Sequence, residues 1–156
     1  MASDGREDPF SLSRFVQAQD AGGAYERALA ELRAGRKRSH WMWFVFPQLA
    51  GLGHSEMARR YALGSLDEAR AFLEHPLLGP RLLACTRALT ELPASPPREV
   101  VEILGAVDAL KLRSSMTLFA RAARDGRPFA DVLDRFFAGE RDDATERLLD
   151  ARRLDA

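Results

Sequence analysis

Hydrophobic residues recur along this chain at intervals of three and four rather than two, a period that predicts one helix after another. Phe10, Leu12, Phe15 and Val16 mark the inward face of a first helix, capped by Asp8 and carrying Pro9 in its first turn. A second is expected from Gly23 to Ala34, burying Tyr25, Ala28, Leu29 and Leu32 and ending at Gly35 as a left-handed C-cap. Ser55 is placed to cap a short helix through Tyr61. Ser65 and Glu68 read as a capping box for a helix that stops near His75-Pro76. Further helices are predicted over 79–92, 97–104, 107–125, 127–137 and 142–153, with breaks at 92-LPASPP-97, Gly126 and Gly139. The run 44-FVFP-47 has strand-like residues, but a lone strand leaves its backbone groups unpaired. The fold class is therefore all-α: a compact, single-domain, helical bundle-like fold of about eight or nine helices. The domain is expected to span 8–156, after a disordered N-terminal tail over 1–7.

The aromatic and glycine residues are not spread evenly over this frame. The segment 38-RSHWMWFVFPQLAGLGHSEM-57 holds both tryptophans, Trp41 and Trp43, two of the three histidines, and the loop 51-GLGHS-55. Phe44, Val45 and Phe46 suit a core. Indole N–H and imidazole groups, by contrast, need polar partners when buried, so His40, Trp41 and Trp43 suit a cleft wall where a ring stacks on a flat ligand. The glycines let a backbone come close to a ligand, and a helix opening at Ser55 would turn amide groups toward an anion. The loop lacks the Gly-Lys-Ser/Thr of a phosphate-binding loop and the strand and third glycine of a dinucleotide fingerprint.

Composition narrows the function classes. Charge balances at 23 basic against 23 acidic residues, so no strong global field favours nucleic acid. No apolar run reaches the roughly 18 residues of a membrane span, and the start of the chain has no apolar signal core. The single cysteine, Cys85, lies in a helical apolar pattern, which fits a reducing, cytoplasmic setting and a structural thiol. His40, His54 and His75 match no zinc spacing, so no metal and no cofactor is expected. Of the 23 basic residues only Lys37 and Lys111 are lysines, which leaves 21 arginines. Where lysine persists against that bias, a compact point charge is the feature to look for. Lys111 lies in 108-DALKLRSSMTLF-119, where Asp108, Lys111, Ser115 and Phe119 share a helix face, while Leu110, Met116, Leu118 and Ala122 would anchor the other side in the core.

The blocks 36-RKRSHWMWFVFPQLAGLGHSEMARRYAL-63, 75-HPLLGPRL-82 and 108-DALKLRSSMTLF-119 resemble the signature segments of the DUF1810 family, small all-helical bacterial proteins. The likeness extends from about Asp8 to Phe137 and implies a single all-α domain. It implies no particular chemistry.

The residues themselves suggest a composite site. Lys37, His40, Trp41, Trp43, Gln48, Gly51, Gly53, Ser55, Lys111 and Ser115 would line a cleft for a planar anionic small molecule of nucleotide or ADP-ribose type. A hydrolase at the same cleft is the alternative, with His40 or Asp108 as general acid or base and Lys111 stabilising negative charge. A third possibility is a protein–protein interaction domain. Asp108 and Lys111 also form an ordinary ion pair one turn apart, and Arg152 reads as a plain surface residue. The oligomeric state is left open by the sequence.

Overall fold

The computed structural model describes residues 7–154, and the expected tail lies, apart from Glu7, outside them. Among the described residues the chain is helical, without strands. The helices are α1 (Ser13–Asp20), α2 (Ala24–Ala34), α3 (Met42–Val45), α4 (Glu56–Arg60), α5 (Leu66–Glu74), α6 (Leu78–Thr90), α7 (Val100–Leu104), α8 (Ala106–Ala122), α9 (Arg127–Phe137) and α10 (Asp143–Leu154). A 3-10 turn, Ala21–Gly23, joins α1 to α2. α3 is a single turn inside the aromatic stretch, where the sequence predicts no helix.

Most caps lie where the sequence puts them. Gly35 closes α2 with φ +75°, Ser55 Oγ accepts from the Ala58 amide, and Ser65 Oγ accepts from the Glu68 amide. The box at Ser65 is only half formed, because Glu68 Oε1 accepts from Gly64 N at 2.9 Å while Oε2 pairs with Arg14 at 3.2 Å. At the N-terminus the expectation is corrected. Residues 9–10 form a turn, Ser11 takes φ +52°, and α1 begins only at Ser13. Asp8 still caps it, accepting from the amides of Leu12 at 2.7 Å and Ser13 at 3.0 Å.

α8 is the axis, packing against α5, α7, α9 and α10, while α6 joins α2, α5 and α9 on the other side. From Leu112 to Phe119 every residue except Arg113 is buried, so this half of α8 reaches solvent only through Arg113. The buried apolar side chains form one cluster. Through it runs a chain of rings: Phe44 to Tyr61 (5.5 Å between centroids), Tyr61 to Phe15 (5.7 Å), Phe15 to Phe72 (5.1 Å), Phe72 to Phe119 (5.5 Å) and Phe119 to Phe129 (5.7 Å). Such contacts add about 0.5–1.5 kcal/mol per pair beyond burial alone. Cys85 lies in this interior, where burial pushes its thiol up to about 12. It is a packing residue, not a nucleophile. Among the described residues no helix is long and apolar enough to cross a membrane.

Candidate functional site

The path to the site begins at the end of α2. Glu31, in the last helical turn, accepts four hydrogen bonds: from the amides of Arg38 (2.8 Å) and Ser39 (3.1 Å), from Ser39 Oγ (2.6 Å) and from Trp41 Nε1 (2.8 Å). Partial burial pushes its carboxyl upward, but the Ser39, Arg38 and Trp41 donors outweigh that and hold it down to about 2. A carboxylate here also opposes the helix dipole, so the donors must offset that as well. The result is a fixed turn over 38–41, with Trp41 only 1% exposed and its N–H satisfied inside the protein.

That turn carries Lys37, whose amide donates to Ile103 O at 2.7 Å and so ties the segment to α7. Lys37 Nζ lies 3.0 Å from Asp108 Oδ2, and Lys111 Nζ lies 3.6 Å from Asp108 Oδ1. Each ammonium also covers an indole at 5.1 Å from the ring centroid, Lys37 over Trp41 and Lys111 over Trp43. The chain's two lysines and its two tryptophans thus meet around one aspartate. The side chains are largely covered: 10% exposed for Lys37, 17% for Asp108 and 21% for Lys111. Two cations against one carboxylate leave a local excess of one positive charge. One turn further along α8, Ser115 is fully buried and its Oγ has no hydrogen-bond partner, whereas Ser114 and Thr117 both donate to the carbonyl four residues back.

The other expected lining residues lie elsewhere. His40 is exposed. Gln48 serves through its backbone: its carbonyl accepts from Leu63 N at 2.9 Å, and Ala50 N donates to Leu63 O at 2.8 Å, forming an isolated parallel bridge at Leu49 and Leu63. Gly51, at φ +102°, faces Leu148 and Arg152 of α10, and a Cβ on Gly53 would come 2.5 Å from the Ala58 Cβ. Turn geometry therefore accounts for both glycines, and capping accounts for Ser55. Among the described residues the ion pairs and ring contacts bring together Lys37, Trp41, Trp43, Asp108 and Lys111, and none of them reaches the 51–55 loop. Arg152 is no plain surface residue either: it donates to Ala50 O at 2.7 Å and Gly64 O at 3.0 Å. Leu110 departs from its expected core position and is 64% exposed.

Sequence reasoning missed Glu31, although an acid in the last turn of a helix is a signal, because the dipole disfavours it unless donors are near. His75 ends α5, as the sequence predicts. Its Nδ1 accepts from the Leu77 and Leu78 amides and so caps the start of α6. Among the described residues no group of three or more His, Cys, Asp or Glu side chains is placed to hold a metal ion.

An all-helical protein with a lysine–aspartate–lysine cluster against paired indoles is the class that the fold and site define. The chain belongs to the family described as protein of unknown function DUF1810, which it matches over residues 9–149. It is similar to the conserved hypothetical protein Rv1873 from Mycobacterium tuberculosis, whose crystal structure it matches with a TM-score of 0.86. The two are 52% identical, over 92% of this chain and 99% of that one. The comparison with curated proteins gave no match.

Proposed function

We propose that this protein binds a small anionic molecule with a planar body, of nucleotide or ADP-ribose type, at the junction of residues 37–43 with the N-terminal half of α8. The observation that carries the reading is the convergence of Lys37 and Lys111 on Asp108. Two ammonium groups sharing one carboxylate in a largely covered setting retain positive charge that an incoming anion neutralises. Trp43, half-buried beside Lys111, supplies ring surface for a flat group. Asp108 positions both ammoniums. The hydrolase alternative is less well supported, because His40 is exposed and Asp108 is engaged by both lysines.

The test is a thermal-shift series with AMP, ADP-ribose, inorganic phosphate and acetate, since a ligand that binds only the folded state raises its melting temperature. A saturable rise with AMP or ADP-ribose is expected in the native chain and in an Arg87→Ala control, and is lost in Lys111→Ala. An equal response in both variants, or none in the native chain, would overturn the reading.

A second reading, a protein-interaction surface, rests on a separate observation. Val101, Val107 and Leu110 are 53%, 67% and 64% exposed and adjoin this cluster on α7 and α8. It predicts that Leu110→Asp disrupts a complex while leaving the nucleotide response intact.

A further inference from the structure

A second cationic cavity lies away from the lysine cluster, where α5, the end of α8 and α10 meet. It has a volume of about 300 Å³, and Arg70, Arg121 and Arg152 line it together with Ser65, Leu66 and Leu149. Three guanidinium groups from three helices thus share one small space. Among the described residues the only carboxylate lining the cavity is Asp67, which pairs with Arg70 at 3.6 Å and is 82% exposed. Pairing that open to water is strongly screened. The acids that pair with Arg121, Glu146 at 3.6 Å and Asp150 at 3.1 Å, do not line the cavity.

Each guanidinium has five N–H donors, and the protein uses only part of them. Arg152 donates through its two terminal nitrogens to Gly64 O and Ala50 O. Arg70 donates through Nε to Ala122 O at 3.4 Å. Arg121 uses Nη1 for both of its acids. Among the described residues Arg152 Nε, Arg121 Nη2 and Arg70 Nη2 have no protein acceptor. Those arginines are also anchored by the contacts they do make, so less side-chain entropy remains to be lost on binding. Planar guanidinium groups match the oxygen spacing of carboxylate and phosphate. The apolar walls, Leu66 and Leu149, favour an organic body over a bare inorganic ion. Ser65, the N-cap of α5, adds a hydroxyl.

We infer that this three-arginine cavity is a binding site for a small organic anion, a carboxylate or phosphate monoester with an apolar body, distinct from the lysine cluster. The apolar body of such a ligand lies against Leu66 and Leu149 while its anion accepts from the arginines.

The test titrates the full chain with phenyl phosphate, benzoate and inorganic phosphate, reading melting temperature and amide chemical shifts. Phenyl phosphate or benzoate should bind saturably and shift the amides of residues 65–70 and 149–152, with inorganic phosphate at least tenfold weaker. Arg70→Gln, which removes the least anchored of the three arginines, should weaken binding at least tenfold while leaving the unliganded melting temperature nearly unchanged. Lys111→Ala should bind phenyl phosphate like the native chain. If the response persists in Arg70→Gln but disappears in Lys111→Ala, the anion binds at the lysine cluster and this inference is wrong. No saturable response to any of the three probes would overturn it as well.

Discussion

Lysine and arginine do different work in two neighbouring regions of this molecule. Around Asp108 the cations are the two lysines, Lys37 and Lys111, each presenting a single charged point between that aspartate and one indole. Around residues 47–64 they are Arg14 and Arg152, and most of their targets are backbone carbonyls. Arg14 donates to Phe10 O, Ser11 O, Arg60 O and Ala62 O, and Arg152 spans Ala50 O and Gly64 O. A loop with little regular structure leaves many carbonyls without partners, and a five-donor fork serves several of them at once. A lysine has no such fork and is strongly hydrated. It is suited to a site where charge itself, rather than a pattern of donors, is wanted. Arginine elsewhere repeats the clamping role, with Arg135 reaching the carbonyls of Leu89, Thr90, Leu92 and Pro93 at the end of α6.

The sharpest way to break this contrast is to remove the floor on which Lys37 rests. Trp41→Ala deletes a fully packed indole and strips Glu31 of one donor, so a loss of about 3–5 kcal/mol is expected in urea unfolding. A loss below about 1 kcal/mol would mean that the lysine region does not stand on the core.

Glu31→Gln should cost about 2 kcal/mol, because a charged acceptor of several bonds becomes a neutral one. Its pH dependence carries a definite sign. The carboxyl is held at about 2 in the folded chain against an ordinary value of 4.5, so its stabilisation is complete above pH 4.5 and disappears as pH falls toward 2. The gap between native and Glu31→Gln should therefore be widest near neutrality and close across that window. A gap independent of pH would remove Glu31 from the account.

Arg14→Lys tests the loop side directly. Charge is kept but the fork is lost, leaving carbonyls without donors, and about 1–2 kcal/mol should go. The reverse exchange, Lys111→Arg, should cost less, since Lys111 holds no carbonyl. If both exchanges cost the same, the division between point charge and fork does not hold. Lys111→Ala is the smallest expected effect, below about 1 kcal/mol, because the pair it breaks is partly exposed and Asp108 keeps Lys37. Circular dichroism melts would register it, and a larger loss would make Lys111 a structural residue first.

Much of the fold was legible in the order of residues. The helical period, Gly35 as a C-cap and Ser55 and Ser65 as N-caps are local features, set by contacts within four residues, and they appear where the pattern places them. So was the singling out of Lys37 and Lys111, which two residues against 21 arginines made visible, and of Asp108 one turn before Lys111. What the sequence could not supply was which segments meet. Residues Lys37 and Asp108 lie far apart in the chain, and only the packing of α8 across the start of the domain decides that they form an ion pair, that Trp41 is sealed while Trp43 is half open, and that Leu110 faces water. The same packing sets Arg152 of α10 on the carbonyls of Ala50 and Gly64, on either side of the 51–55 loop. A helix period specifies which residues lie on one face, but a face becomes core or surface only through the neighbour set against it, and that is a property of the folded chain.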